Sequence, residues 1–477
     1  MLKKILTFSS SYVAIEALQK GVMFFLMSLF THHMTTEEYG IISSALMIIQ
    51  VLAIVFSLST TASISRYYFK FYENKDDLKD FLGTSFLFIL VIGLFFLLLF
   101  LIFGKFIFQW IFPEIPYYPI MIWVFLLCVL QPFNMAYLGL LKSQLKLKKY
   151  SILYSVYYVL QFALMAITIL VENMKHEGYI LSLLLSNIVF MLIVSVFLIK
   201  EINFCIKKEY LKLSLQYSLS FIPAEIFAVV NALIDRFFIL SLLTLSALGI
   251  YHIAIQIGAI IVLITRALNY AYLPHFMKIY ESGKKDFSEI YKFADLSVLI
   301  TVLITGYLSI VSPYFIEYFL DKSYIDAKNV VVYINFLYAL NSVFFINVNV
   351  LSLTPKLVRS KTIVLIFGGI INFLLNYILI KQYDLIGAAI ATLAGFIITN
   401  LLLGYWVKLK TTFTFKSFKN LFFIVLSMLC TVFILRFSSG YIILDLVLML
   451  ASFTIFSVLI FGYIHRLNPL NLIKIKF

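Results

Sequence analysis

Six ionisable side chains lie inside apolar stretches of the sequence: Glu16, Lys20, Glu225, Asp235, Arg236 and Arg266. Charge in an apolar setting is costly, so each is a functional candidate. The cations are suited to an anion; arginine in particular grips phosphate with two parallel donors. The carboxylates Glu16, Glu225 and Asp235 are candidates for binding a proton or sodium ion. Glu16 and Lys20 stand four apart on one helical face, in the order that favours pairing, so a structural ion pair is an equal reading. Glu225 and Arg236 are eleven apart, close to three turns, and share a face. Arg266 has no charged neighbour three or four residues away. Either it meets a substrate, or it forms a salt bridge to Glu225. Asp235 and Arg236 also admit a plain reading, in which they snorkel at the outer interface.

Polar residues recur around these charges at helical spacing. His252, Gln256, Ala259, Leu263, Arg266 and Tyr270 follow steps of three and four. Ser43, Met47, Gln50, Ile54, Ser57 and Thr61 lie 209 positions earlier and follow the same steps. Two helices with one polar face in common suit a shared cavity, with Gln50, Ser57, Gln256 and Tyr270 lining it. Helix packing through small and polar residues is the plainer alternative.

These residues need helices to hold them, and the composition says in what medium. The 477-residue chain is 63% hydrophobic and 13% charged, against roughly 25% charged in a soluble domain. Apolar runs of about 20 residues match the thickness of a bilayer. Fourteen spans are expected: about 8–30, 41–65, 83–104, 118–141, 151–171, 179–199, 213–240, 250–273, 293–314, 330–353, 362–380, 387–407, 420–435 and 442–464. Alternation over about ten residues, the mark of a membrane barrel, is not seen. The run after Lys3 and Lys4 lacks a small-residue cleavage site and reads as an uncleaved first span.

With the N-terminus inside, 28 of the 37 basic residues fall in cytoplasmic segments and six outside. That asymmetry places both ends in the cytoplasm. It also accounts for the net charge of +14 without nucleic acid. Cys128, Cys205 and Cys430 are scattered and suggest neither disulfide nor metal. No cofactor is expected. The pairs His32-His33 and Glu37-Glu38 share one outer loop, which reads as a polar loop before a ligand site. No loop is long enough to hold an extracytoplasmic active site, which counts against a glycosyltransferase or polymerase.

The chain also repeats. Lys70-Phe71-Tyr72-Glu73 returns as Lys278-Ile279-Tyr280-Glu281, and Lys146-Leu147 with Lys149 as Lys356-Leu357 with Arg359. Tyr39-Gly40-Ile41 opens span two as Gly249-Ile250-Tyr251 opens span eight. All lie 208 to 210 positions apart. Two six-helix units are therefore expected, 1–212 and 213–410, with 411–477 adding two helices and a tail. An even number of spans makes the repeats parallel.

Glu37-Glu38-Tyr39-Gly40, Ser65-Arg66-Tyr67-Tyr68, Asp235-Arg236-Phe237, Ala247-Leu248-Gly249-Ile250-Tyr251 and Pro274, in this order and spacing, resemble the MOP exporters (multidrug, oligosaccharidyl-lipid and polysaccharide). Within them the chain looks like the Wzx-type flippases of O-antigen and other polysaccharide repeats. The resemblance implies two six-helix lobes around a central cavity, in a bacterial inner membrane. It implies transport of an undecaprenyl-diphosphate-linked oligosaccharide by alternating access, with ion coupling and a polysaccharide polymerase as a candidate partner. A peptidoglycan-precursor flippase and a multidrug exporter are the competing substrates. The first is expected to carry several cavity arginines, the second only twelve spans.

Overall fold

The computed structural model describes residues 19–281, 287–413, 415–437 and 442–465. Among them every regular element is helical. In a bilayer this is the expected solution, because a helix satisfies its own backbone donors and acceptors. The helices are α1 (19–31), α2 (Thr36–Ser57), α3 (Thr60–Phe71), α4 (Lys75–Ile111), α5 (Ile122–Ser143), α6 (Leu147–Ala166) and α7 (Lys175–Leu198). They continue as α8 (Lys208–Leu242), α9 (Leu245–Glu281), α10 (Ser288–Phe319), α11 (Lys328–Ala339), α12 (Asn341–Leu353), α13 (Val358–Lys410), α14 (Ser417–Ile434) and α15 (Ile442–His465).

Eleven helical segments among the described residues are long and apolar enough to cross a membrane. One of them, α13, loses helical geometry at Tyr383 and Asp384. A Cβ on Gly368 would fall 2.1 Å from Thr399 and one on Gly395 3.0 Å from Asn372, and Asn376 donates to Thr392 at 3.4 Å. Contacts that close in about the turn show two antiparallel arms, hence two spans. With α8 and α1 in the places of spans seven and one, the chain is a polytopic membrane protein of about fourteen transmembrane helices. The two arms lie where spans eleven and twelve are expected.

Helix ends follow local chemistry. Thr35 and Glu38 form a reciprocal capping box at the start of α2, satisfying donors that the first turn leaves open. Asn74 caps α4 by accepting from Asp76 and Asp77. One boundary departs from expectation. Span two does not run unbroken over 41–65 but stops at Leu58 and Ser59, whose φ values are 46° and 52°. Neither glycine nor proline marks the break, so no local signal announces it.

Contacts divide the chain into two units, residues 33–233 and residues 1–32 with 234–477. In the 33–233 unit α5 packs against α2, α3, α4 and α7. Polar pairs hold these apolar helices in register: Asn134 donates to Asn187 Oδ1 at 3.1 Å, and Thr168 meets Ser182 at 2.9 Å. The loop after α7 is held by two carboxylates. Glu201 accepts from Gln144 and Lys149. Asp80 accepts from Asn203 and Lys207.

In the other unit α9 packs on α11, and α10 on α11 and α15. α1 is anchored there by Phe24, stacked on Phe315 at 4.4 Å, and by the Ser28 hydroxyl, which donates to the Phe319 carbonyl. α15 seats on α10 where Gly306 has no side chain; a Cβ there would fall 2.0 Å from the Phe453 ring. The Tyr307 hydroxyl meets Thr454 at 2.9 Å beside it. This grouping by contact is distinct from the sequence repeat with its expected bounds of 1–212, 213–410 and 411–477.

Candidate functional site

In the 33–233 unit the break between α2 and α3 positions one of the candidate carboxylates. The Ser59 hydroxyl donates to Glu225 Oε2 at 2.5 Å. One turn further on, Ser63 meets Ser214 at 2.5 Å, so α3 and α8 are joined twice. Ser59 and Thr60 are buried. A carboxylate at the first turn of α3 suits the positive end of that helix dipole. The polar stripe of α2 is not uniformly open. Gln50 is exposed, whereas Ser57 is buried and donates to the Ala53 carbonyl of its own helix at 2.7 Å. Buried and bonded in this way, Ser57 contributes no open polar group here.

In the other unit α1, α8, α9 and α11 gather a second cluster. Asp235 is buried; it accepts from the Tyr251 hydroxyl at 2.8 Å and from the Arg236 backbone at 2.8 Å. Asp235 is therefore held inside protein, and the reading of it as a snorkelling interfacial charge does not fit. The Arg236 guanidinium bonds to Tyr338. Tyr338 reaches α9 because Gly258 leaves room: a Cβ there would lie 2.8 Å from the Tyr338 ring. Gln256 bonds His252 at 2.7 Å. Lys20 and Arg236 both interact electrostatically with His252. Asp235, Arg236 and Gln256 thus lie in one cluster around Tyr251, His252 and Tyr338, within electrostatic reach of Lys20 from the start of the chain. The Nε of Arg236 and the Oε1 of Gln256 are buried without a partner among the described residues, and an orphaned buried donor carries a free-energy cost until a ligand meets it.

Arg266 and Tyr270 are exposed on α9. Arg266 makes no ion pair among the described residues. Glu16 lies outside the described residues, so its pairing with Lys20 is not part of this picture.

The sequence singles out His252 as part of a stripe and Tyr251 only within a repeated motif, and offers no signal for Tyr338 or Ser59. A tyrosine in an apolar helix reads as packing, and a partner 16 residues away for Tyr251 or 102 for Tyr338 leaves no periodic trace. A buried polar cluster on α13 was missed as well: Asn376 donates to Asn372 Oδ1 at 2.8 Å and lies beside Thr392. No group of His, Cys, Asp or Glu able to hold a metal ion is present among the described residues.

Comparison with known proteins agrees with this architecture. A protein of Haemophilus influenzae called Lsg locus putative protein 1 is 25% identical over 347 residues, which covers 68% of this chain and 79% of the relative. The solved structure of the lipid II flippase MurJ in an inward closed conformation superposes with a TM-score of 0.69 at 16% identity, over 97% of this chain and 99% of that one. An inward-facing multidrug resistance MATE transporter of the MOP superfamily gives 0.64 at 14% identity, over 85% of this chain and 94% of that one. At such identities these structures establish the fold alone, one this chain shares with both transporters. The model of the polysaccharide biosynthesis protein family matches residues 5–280, more than half of the sequence, and the chain belongs to that family.

Proposed function

We propose that this protein is a flippase that carries an undecaprenyl-diphosphate-linked oligosaccharide across the bacterial inner membrane during surface polysaccharide assembly. The observation that carries the reading is the cluster around His252. It places the cations Lys20 and Arg236 within electrostatic reach of His252, leaves Arg236 Nε without a partner among the described residues, and has its described carboxylate, Asp235, engaged by Tyr251. A diphosphate crossing a low-dielectric region needs a compensating cation. Arg266, exposed on α9, supplies a further one. Gln50, Gln256 and Tyr270 offer hydrogen bonds to sugar hydroxyls; Ser57 is the weakest of the proposed contacts because its hydroxyl is spent within α2. The family description fits polysaccharide work, and the likeness to a lipid II flippase fits a lipid-linked cargo.

Transport proceeds by alternating access of the two repeated halves, 1–212 and 213–410, with 411–477 attached. Glu16, Glu225 or Asp235 takes up a proton or sodium ion and biases the states through a difference in affinity, the only way a ligand shifts such an equilibrium. Both termini lie in the cytoplasm, and a polysaccharide polymerase is the proposed downstream partner.

The test is reconstitution in liposomes loaded with a lipid-linked oligosaccharide, with an impermeant glycosidase outside. Flippase activity makes the inner-leaflet pool cleavable when a pH or sodium gradient is applied. Cleavage limited to the outer-leaflet pool in every condition, with lipid II translocated instead, would transfer the assignment to a peptidoglycan precursor.

A further inference from the structure

Away from the charged cluster, α9, α10 and α12 leave a small cavity of about 10 Å3 with both apolar and polar groups in its wall. Its lining includes Thr265, Asn269 and Tyr272 from α9, Ser297 from α10 and Ser342 from α12. The three aliphatic hydroxyls have already committed their protons. Thr265 donates to the Val262 carbonyl at 3.0 Å, Ser297 to Ala294 at 2.7 Å and Ser342 to Ala339 at 2.7 Å. Asn269 Oδ1 accepts from Asn349 at 2.8 Å. The three hydroxyl oxygens therefore act toward the cavity as acceptors.

Tyr272 is the exception. It is 4% exposed, and its hydroxyl is buried with no partner among the described residues. The ring is stacked with Phe276 at 5.4 Å and with Phe293 at 5.9 Å, both nearly parallel. Held between these two rings, it has little freedom to turn the hydroxyl toward another acceptor. A buried O–H without a partner is costly.

We infer that this cavity is a binding site for one water molecule, which accepts from Tyr272 of α9 and donates its two protons to the Ser297 and Ser342 oxygens of α10 and α12. The volume is that of a single water, and the polar partners number more than the two to four such a water needs. A sodium ion fits the acceptors but not the tyrosine, because a cation cannot accept its proton. No carboxylate lines the cavity, and the positive charge of Arg266 is one residue away on α9. Leu268, Phe345 and Ile346 complete the wall, but an unpartnered Tyr272 hydroxyl makes an empty cavity costly. The water bridges three helices and completes the polar contacts between them.

The test is X-ray radiolysis of the purified full-length protein, which generates hydroxyl radicals from water in place, with oxidation read by tandem mass spectrometry after brief mixing into H2(18)O. Tyr270, two residues away and 43% exposed, is the internal reference for bulk solvent. Tyr272 should be oxidised, and its oxygen label should exchange more slowly than that at Tyr270. Ser342→Val fills the cavity and should abolish oxidation of Tyr272 while leaving Tyr270 unchanged; Ser297→Val serves if the first variant does not fold. An unoxidised Tyr272, a label that exchanges as fast as at Tyr270, or full oxidation in the filled variant each overturns the proposal.

Discussion

Ser59 donates its hydroxyl to Glu225 at 2.5 Å, joining residues 166 positions apart at the point where the second span breaks. The break holds two non-glycine residues at positive φ, a geometry that costs roughly 1–2 kcal/mol per residue. Ser59→Gly removes that residue's share of the strain together with the hydrogen bond, two effects of similar size. Its thermal midpoint in detergent should stay near that of the native protein. Ser59→Val keeps the strain with a β-branched side chain and should lose about 1–3 kcal/mol. Equal stability of the two variants would mean that α2 and α3 straighten into one helix at no cost.

Arg266 is exposed and unpaired by any acid among the described residues. Arg266→Ala should abolish sugar export while the protein remains inserted at normal levels. Arg266→Lys should restore part of it, since lysine brings the charge without the planar fork. Complementation of an export-deficient strain, with protein quantified in membranes, reads both. Full export by the alanine variant removes the arginine from the mechanism. Recovery in Arg266→Ala with Glu225→Ala would reduce the arginine to a structural partner.

The loop after α7 should respond to acid. Burial raises the Glu201 carboxyl, but hydrogen bonds from Gln144 and Lys149 and the charges of Lys146 and Lys149 outweigh it, so its pKa lies below the ordinary 4.5. A carboxyl lowered by folding contributes stability above the ordinary value, and that contribution is lost as pH falls through the lowered one. The protection of residues 199–207 against hydrogen exchange, corrected for the intrinsic rate at each pH, should therefore be flat from neutrality to about pH 5 and fall below 4.5. Glu201→Gln should exchange fast at every pH; a loop equally protected in that variant would show that Asp80 holds it unaided.

The distribution of basic residues predicts which loops face the cytoplasm. Single cysteines at Lys79, Lys148 and Lys208, in a background lacking Cys128, Cys205 and Cys430, should be shielded from an impermeant reagent added to intact cells. One at Lys322 should react. Reaction at position 208 from outside would invert the topology.

Gly306 and Phe453 form a seat with no spare room. Gly306→Val overpacks it and should cost about 1–3 kcal/mol, seen as a lowered thermal midpoint and easier proteolysis after α14. Adding Phe453→Ala should return much of that loss. Additive losses in the double variant would show that the two positions do not meet in the membrane.

How much of this was legible in the sequence depends on the range of the signal. Apolar runs and basic loops are properties of single segments, so the helices, their approximate number and the family resemblance could be read directly. The break at Leu58 and Ser59 could not, because no glycine or proline is needed where a long-range bond to Glu225 holds the backbone. The α9 face was identified by its spacing, and Arg266 and Tyr270 on it are exposed. The matching α2 face was less informative: Ser57 obeys the same spacing but spends its hydroxyl on its own helix. Periodicity tells which residues share a face, not whether that face is open. The tyrosines Tyr251 and Tyr338 carry no such pattern, and their roles appear only once the helices are packed.

The seat between Gly306 and Phe453 also bears on how the chain is made. The neighbouring pair Tyr307 and Thr454 is separated by 147 positions. At a synthesis rate of about 5–20 residues per second, α15 follows α10 out of the ribosome by roughly ten to thirty seconds. For that interval the notch at Gly306 faces lipid or the insertion machinery, with nothing of this chain to fill it. A nascent chain stalled before α14 would present that unfilled groove to the surrounding lipid or insertion machinery.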